Sequence, residues 1–219
     1  MAIDPFRLAI ALIPLAAYAL MLAVINARRR PLVVTGGSDL FALGIALSGV
    51  AFIGPIELFR PDAATAELGN YIWLVLIAFY GLLLLLIMLL VRPRIVVYNI
   101  NQEELHPALA ETAARLDPEA RWTGSHLSLP RLGVQLHLDS LDMMRNVTLA
   151  ASGGRQNIEG WRRLTRELVA SLTGVRVKPN PRAIGFLIAS AALVALAVSH
   201  MLRNPVELAQ AVREVFAYE

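Results

Sequence analysis

The chain contains no cysteine, so disulfides, thiolate metal sites and thiol nucleophiles are all excluded. Charge is scarce. Only 17% of the residues are Asp, Glu, Lys or Arg, against about 25% in an ordinary soluble domain. Lysine is almost missing, Lys178 being the only one among 20 basic residues. The pI of about 9.7 therefore rests on arginine, and the net charge is only +3. A nucleic-acid-binding face needs its cations gathered on one surface. Here they are interleaved with acids, so no nucleic-acid partner is expected. Signatures of catalysis are also absent: there is no G-x-S-x-G around a serine, no H-x-x-x-H pair and no repeat of fixed period. No cofactor and no metal are expected, and the sequence leans away from an enzyme.

Apolar residues are abundant. They make up 57% of the 219 residues, and the mean hydropathy is +0.58. A chain this short has a limited core in which to bury such an excess, and lipid is the simpler sink. Four segments approach the ~20 apolar residues needed to cross a ~30 Å hydrocarbon layer. They run from about Phe6 to Asn26, Leu40 to Leu58, Tyr71 to Val91 and Ala183 to Leu202. Glycine and serine interrupt the second. The third carries no charge and contains an unbroken leucine run from Leu82 to Leu86. At about −0.3 to −0.6 kcal/mol per central Leu, Ile, Phe or Val, its insertion sums to roughly −5 kcal/mol or better.

Arginines set the expected orientation, because short loops rich in Lys and Arg stay cytoplasmic. Arg28, Arg29 and Arg30 follow the first span, whereas only Arg7 precedes it. That polarity is the reverse of a signal peptide and points to a retained span with an exported N-terminus. Arg92 and Arg94 close the third span, and Lys178 and Arg182 open the fourth. The segment between them is then cytoplasmic and both termini lie outside. The arginine bias, with abundant Ala, Leu and Pro, fits a GC-rich bacterial genome and hence a bacterial inner membrane.

The polar segment alternates strand and helix signals. Ile95 to Tyr98 form a β-branched and aromatic run. Asn101 with Glu104 resembles a capping box, opening a helix through Leu109, Ala113 and Leu116 that stops at Asp117-Pro118; Pro107 suits its first turn better than its interior. One strand is expected around Trp122 to Leu129, a turn at Pro130 to Gly133, and a second strand over Val134, Leu136 and Leu138. A third is expected over Arg145 to Ala151. Ile158, Trp161, Leu164, Leu168 and Leu172 then fall on one helical stripe. The expected fold is a membrane α-helical bundle of about four spans with an inserted small α+β domain. The domain order is strand-helix-strand-strand-strand-helix, on a mostly antiparallel sheet. The expected divisions are a three-span region over 1–93, the α+β domain over 94–181, the fourth span over 182–203 and an amphipathic C-terminal helix over 204–219. Asn204, Pro205 and Glu207 would start that last helix.

Several constellations invite a chemical reading. Glu57 and Arg60, at the outer end of the second span, can pair on one helix face. His200 and Arg203 end the fourth span at a similar depth. With Asp62 these groups would form an outer-interface polar cluster able to take up a proton or an anion. The plainer reading places them among lipid headgroups, where charge costs little. Asp39 is expected to start the second span. His137 with Asp139, and His126 across the hairpin, fall short of a zinc set and suit cross-strand pairing; Asp139 and Asp142 suit turns. Gly153-Gly154-Arg155 before a helix could cradle a phosphate, but such glycine pairs are ordinary turns. Trp122 and Trp161 are expected in the core. Gly44 with Ser48, and Gly185 with Ala189, have the small-residue spacing that lets spans pack closely.

The leading expectation is an accessory, scaffold or sensory subunit of a membrane complex. It would contact the lipid bilayer and either other membrane-protein subunits or copies of itself. One alternative is a small transporter or channel component, hinted at by Pro14, Gly49 and Gly54. The other is a membrane-bound enzyme working through the outer-interface cluster.

Overall fold

A computed structural model of the chain describes residues 5–56, 67–141, 144–206 and 209. Among these, four helices are long and apolar enough to cross a membrane. They are α1 (Pro5–Ala27), α2 (Gly36–Ala51, continued by a π-helical turn over Phe52–Ile56), α3 (Ile72–Leu90) and α6 (Arg182–Arg203). Their side chains are not those of a solvated surface. Leu82 is 64% exposed and Leu89 75% exposed in α3, an apolar display that water does not tolerate over so long a helix. The second span begins at Gly36, ahead of the expected Leu40, so Asp39 falls in the first turn of α2. A carboxylate there is favoured by the helix dipole.

The chain divides into two compact units. One comprises residues 1–22, 41–90 and 185–219, and the other residues 23–40 and 91–184. In the first, the spans approach through small residues. Ala9, Ala16 and Ala46 are buried, and Ser190 donates to the Ala16 carbonyl at 2.9 Å. Pro14 lies inside α1 and has no N–H to give the carbonyl of Ile10. That carbonyl lies against Gly49 of α2, where a Cβ would intrude on the oxygen and come within 2.9 Å of the Ile10 carbonyl carbon. Gly49, with no side chain, lets α2 approach that carbonyl closely. Gly44 packs against Leu84, and its carbonyl accepts the Tyr80 hydroxyl at 2.7 Å. Of the two small-residue pairs expected to pack, Gly44 is in contact, whereas a Cβ on Gly185 would meet nothing within 4 Å.

The second unit is built on a six-stranded sheet in the order β1-β2-β6-β5-β4-β3. Its strands are β1 (Leu32–Thr35), β2 (Arg94–Tyr98), β3 (Arg121–Thr123), β4 (His126–Leu129), β5 (Val134–Leu141) and β6 (Asn146–Ala151). All pairings are antiparallel. Helices α4 (Gln102–Leu116) and α5 (Ile158–Leu172) complete it. Two strands exceed the expected set. β1 comes from the arginine-bearing loop after the first span, where Val33, Val34 and Thr35 align with Val97, Val96 and Ile95. The expected strand around Trp122 is in fact a hairpin, because Gly124 turns the chain at φ +61°.

Alternation along the strands places one face in the core. Val134, Leu136 and Leu138 of β5, Val147 and Leu149 of β6, and Ile95 and Val97 of β2 pack with Leu105, Leu109, Trp161, Leu164 and Leu168 from the helices. A buried leucine of this kind typically costs 2–5 kcal/mol to truncate to alanine. Trp161 is buried as expected, while Trp122 packs at the margin of the core. α4 has the Asn101–Glu104 capping box. Pro107 lies inside it rather than in its first turn; Pro107 and Glu103 are both exposed, so the carbonyl it leaves unpaired faces water. Asp117 ends α4 fully buried. Its carboxylate accepts Glu119 N at 2.9 Å and Arg131 N at 2.7 Å.

Candidate functional site

The expected outer-interface cluster is only partly within view. Glu57, Arg60 and Asp62 lie outside the described residues. His200 and Arg203 occupy the last turn of α6, where the His200 carbonyl accepts from the Asn204 side chain at 3.2 Å. Of the expected C-terminal helix over 204–219, Asn204, Pro205, Val206 and Ala209 are described, and all but Asn204 are helical.

His126 and His137 do meet across β4 and β5, in register and with ring centroids 5.9 Å apart. Asp139 is a strand residue opposite Thr148, not a turn residue, because β5 continues to Leu141; Asp142 lies outside the described residues. Among the described residues no group of three potential metal ligands forms. The Gly153-Gly154 turn precedes a helix whose N-terminus is already occupied: the Asn157 side chain accepts from Glu159 N and Gly160 N. Gln156 fastens the turn, donating to the carbonyls of Gln135 and Ser152 and accepting from Trp161 Nε1.

Polar contacts within the sheet unit concentrate where the spans join it. Asn26 and Asn180 are both buried, and Asn180 Nδ2 donates to Asn26 Oδ1 at 2.8 Å. Asn99, at φ +60°, donates from its side chain to the Arg28 carbonyl at 2.7 Å. Asparagine tolerates that left-handed backbone better than most residues. Val177 N donates to the Arg29 carbonyl at 3.0 Å. Asp39 accepts the Tyr98 hydroxyl on one oxygen and faces Arg94 at 3.4 Å with the other. Gly36 makes room for this group, since a Cβ there would strike the Arg94 side chain. Arg145, at φ +50°, bridges Glu104 at 3.0 Å and the Lys178 carbonyl at 2.8 Å. None of these groupings was visible as a motif, because their members are far apart in the chain.

Beside these contacts lies a cavity of about 520 Å³, lined by Arg28, Arg29 and Arg30 and by apolar groups from β1 and the last turns of α5. The three arginines are exposed. The volume falls within the ~300–1,000 Å³ range of pockets for small organic ligands. The residues around the Asp39 group are polar and partly open, an arrangement suited to holding chain segments together. The depression beside the arginines is open to the surface, with the three guanidiniums on one side and Leu32, Val33 and Val169 on the other. No protein-family model, curated protein or solved structure matches the chain.

Proposed function

We propose that the protein is a multi-pass protein of a bacterial inner membrane, serving as an accessory, scaffold or sensory subunit of a membrane complex through its sheet domain. The observation that carries the reading is the face of the sheet turned away from α4 and α5. It presents His126, Gln135, His137, Asp139 and Thr148, all exposed or half-exposed, on a domain whose opposite face is fully used by its own core. A mixed polar face of this kind suits a partner subunit that docks by hydrogen bonds and modest apolar contact.

The orientation, with termini outside and residues 94–181 in the cytoplasm, has support from the pairing of β1 with β2. That pairing needs the first loop and the inserted domain on one side of the membrane. The placement of Arg28 to Arg30, Arg92, Arg94, Lys178 and Arg182 asks for the same, and all of them belong to one compact unit.

Photo-crosslinking in native membranes tests the subunit reading. A photoreactive residue at His137 or Thr148 is expected to give one discrete adduct, and the same probe at Arg163, on the exposed side of α5, none. A protein that purifies as a lone monomer, with no adduct from either sheet position, would remove the reading.

A further inference from the structure

We infer that the cavity beside Arg28, Arg29 and Arg30 holds the headgroup of an anionic phospholipid, its phosphate on the guanidiniums and its glycerol and upper acyl carbons against Leu32, Val33 and Val169. This rests on the membrane reading above, though not on the orientation or on a partner.

Position is the first support. Arg28 directly follows the last residue of α1, a helix of 23 residues. At ~1.5 Å per residue such a helix is about 35 Å long, slightly more than the ~30 Å hydrocarbon layer. The three cations therefore follow in the chain directly on a helix long enough to cross. Second, their backbone is fixed while their side chains are not engaged. The Arg28 and Arg29 carbonyls are held by Asn99 and Val177, yet among the described residues no hydrogen bond or ion pair reaches any of the three guanidiniums. Arg94, Arg131 and Arg145 contrast with them, each facing a carboxylate.

Third, the lining is amphiphilic. No acidic side chain lines the cavity among the described residues, so nothing in it neutralises the arginines. Val169 stands 44% exposed beside them. A soluble phosphate would use the cations and leave that apolar wall wet, whereas a phospholipid uses both. Guanidinium binds phosphate oxygens in a bidentate fork, and basic pockets next to spans are a known setting for anionic headgroups. The arginines also sit near the C-terminal end of α5, where positive charge is favourable; that role alone would not involve the Val169 wall.

The full-length protein in nanodiscs of phosphatidylcholine with a minority of phosphatidylglycerol provides the test, with co-purifying lipid counted by native mass spectrometry. R28Q/R29Q/R30Q is expected to lower retained phosphatidylglycerol roughly fivefold or more. V169E keeps all three arginines, and with them the charge that sets orientation, but places a carboxylate in the cavity; it is expected to lose the lipid to a similar degree. R115Q/R121Q/R155Q, three exposed arginines outside the cavity lining, is the control and is expected to retain it. If V169E and the control behave alike, the arginines act only as general surface charge and the site is overturned. Displacement of the lipid by inorganic phosphate or glycerol phosphate at matched concentration would overturn the lipid assignment in favour of a soluble anion. A protein that stays dispersed without detergent or nanodisc would instead fail the membrane reading, a result separate from either.

Discussion

Replacing Gly49 with alanine tests the packing of the spans at its tightest point. A Cβ at Gly49 would lie 2.9 Å from the Ile10 carbonyl carbon and 3.0 Å from Ala11 Cα, where ordinary contact begins at 3.4 Å. Both are backbone atoms of α1 and cannot rotate away. The helices must part by about half an ångström on these two atoms alone, and by more at the oxygen. Overpacking of this kind costs typically 1–3 kcal/mol, partly offset by the ~1 kcal/mol that alanine gains over glycine in a helix. A net loss of up to about 2 kcal/mol remains, which corresponds to a fall in melting temperature of up to roughly 8 °C for a chain of this size. The control is a graded series. Gly44→Ala meets the ends of the Leu84 side chain, 2.7 and 2.8 Å away, which can swing aside, so its loss should be smaller. Gly54→Ala, Gly81→Ala and Gly185→Ala meet nothing within 4 Å and should be neutral or slightly stabilising. Detergent-solubilised protein, heated and followed by size-exclusion fluorescence, gives the ranking. Gly49→Ala melting with or above Gly185→Ala would refute the close approach of α1 and α2.

Two further outcomes follow from the sheet unit. Asn180→Leu removes the donor to the buried Asn26 side chain and should cost about 1–3 kcal/mol, read as faster hydrogen exchange over residues 26–30 and 177–180. The double variant N26L/N180L should recover part of that loss, and equal exchange in all forms would contradict the pairing. The chain has no cysteine of its own, so single cysteines report orientation directly. Ser125→Cys should resist an impermeant maleimide in intact cells and react after permeabilisation, while Glu67→Cys should react in both; the reverse pattern would invert the proposed orientation.

Much of the architecture was legible in local patterns. The leucine run of α3, the Asn101–Glu104 box and the apolar stripe from Ile158 to Leu172 each declare an element within a few residues. β1 did not declare itself. Four residues, Leu32–Thr35, are too short for a period to emerge, and Pro31 and three arginines beside them suggest a loop. Only the distant β2 makes them a strand. Gly124 was similarly quiet: a hairpin of three- and four-residue strands gives little alternation to read. The polar contacts at the span ends were hidden for a stronger reason. Asn26 and Asn180 are separated by 154 positions, and nothing in either neighbourhood names the other. The arginine triplet was noticed for its charge, but the cavity beside it depends on α5, far along the chain.

The edge strand β1 also sets a timetable for synthesis. Leu32 pairs with Tyr98, 98 − 32 = 66 residues later. At ~5–20 residues per second, a nascent chain waits roughly 3–13 s between making β1 and making its partner, and two spans must enter the membrane in that interval. During the wait Val33 and Val34 offer an unpaired, β-branched edge, the kind of surface that recruits unwanted strands. A ribosome stalled after α3 would release a chain with every span but the last and a sheet of one strand. Four residues in a short loop thus stay without their sheet partner until the polar domain is made, so truncated products would carry β1 as an open strand.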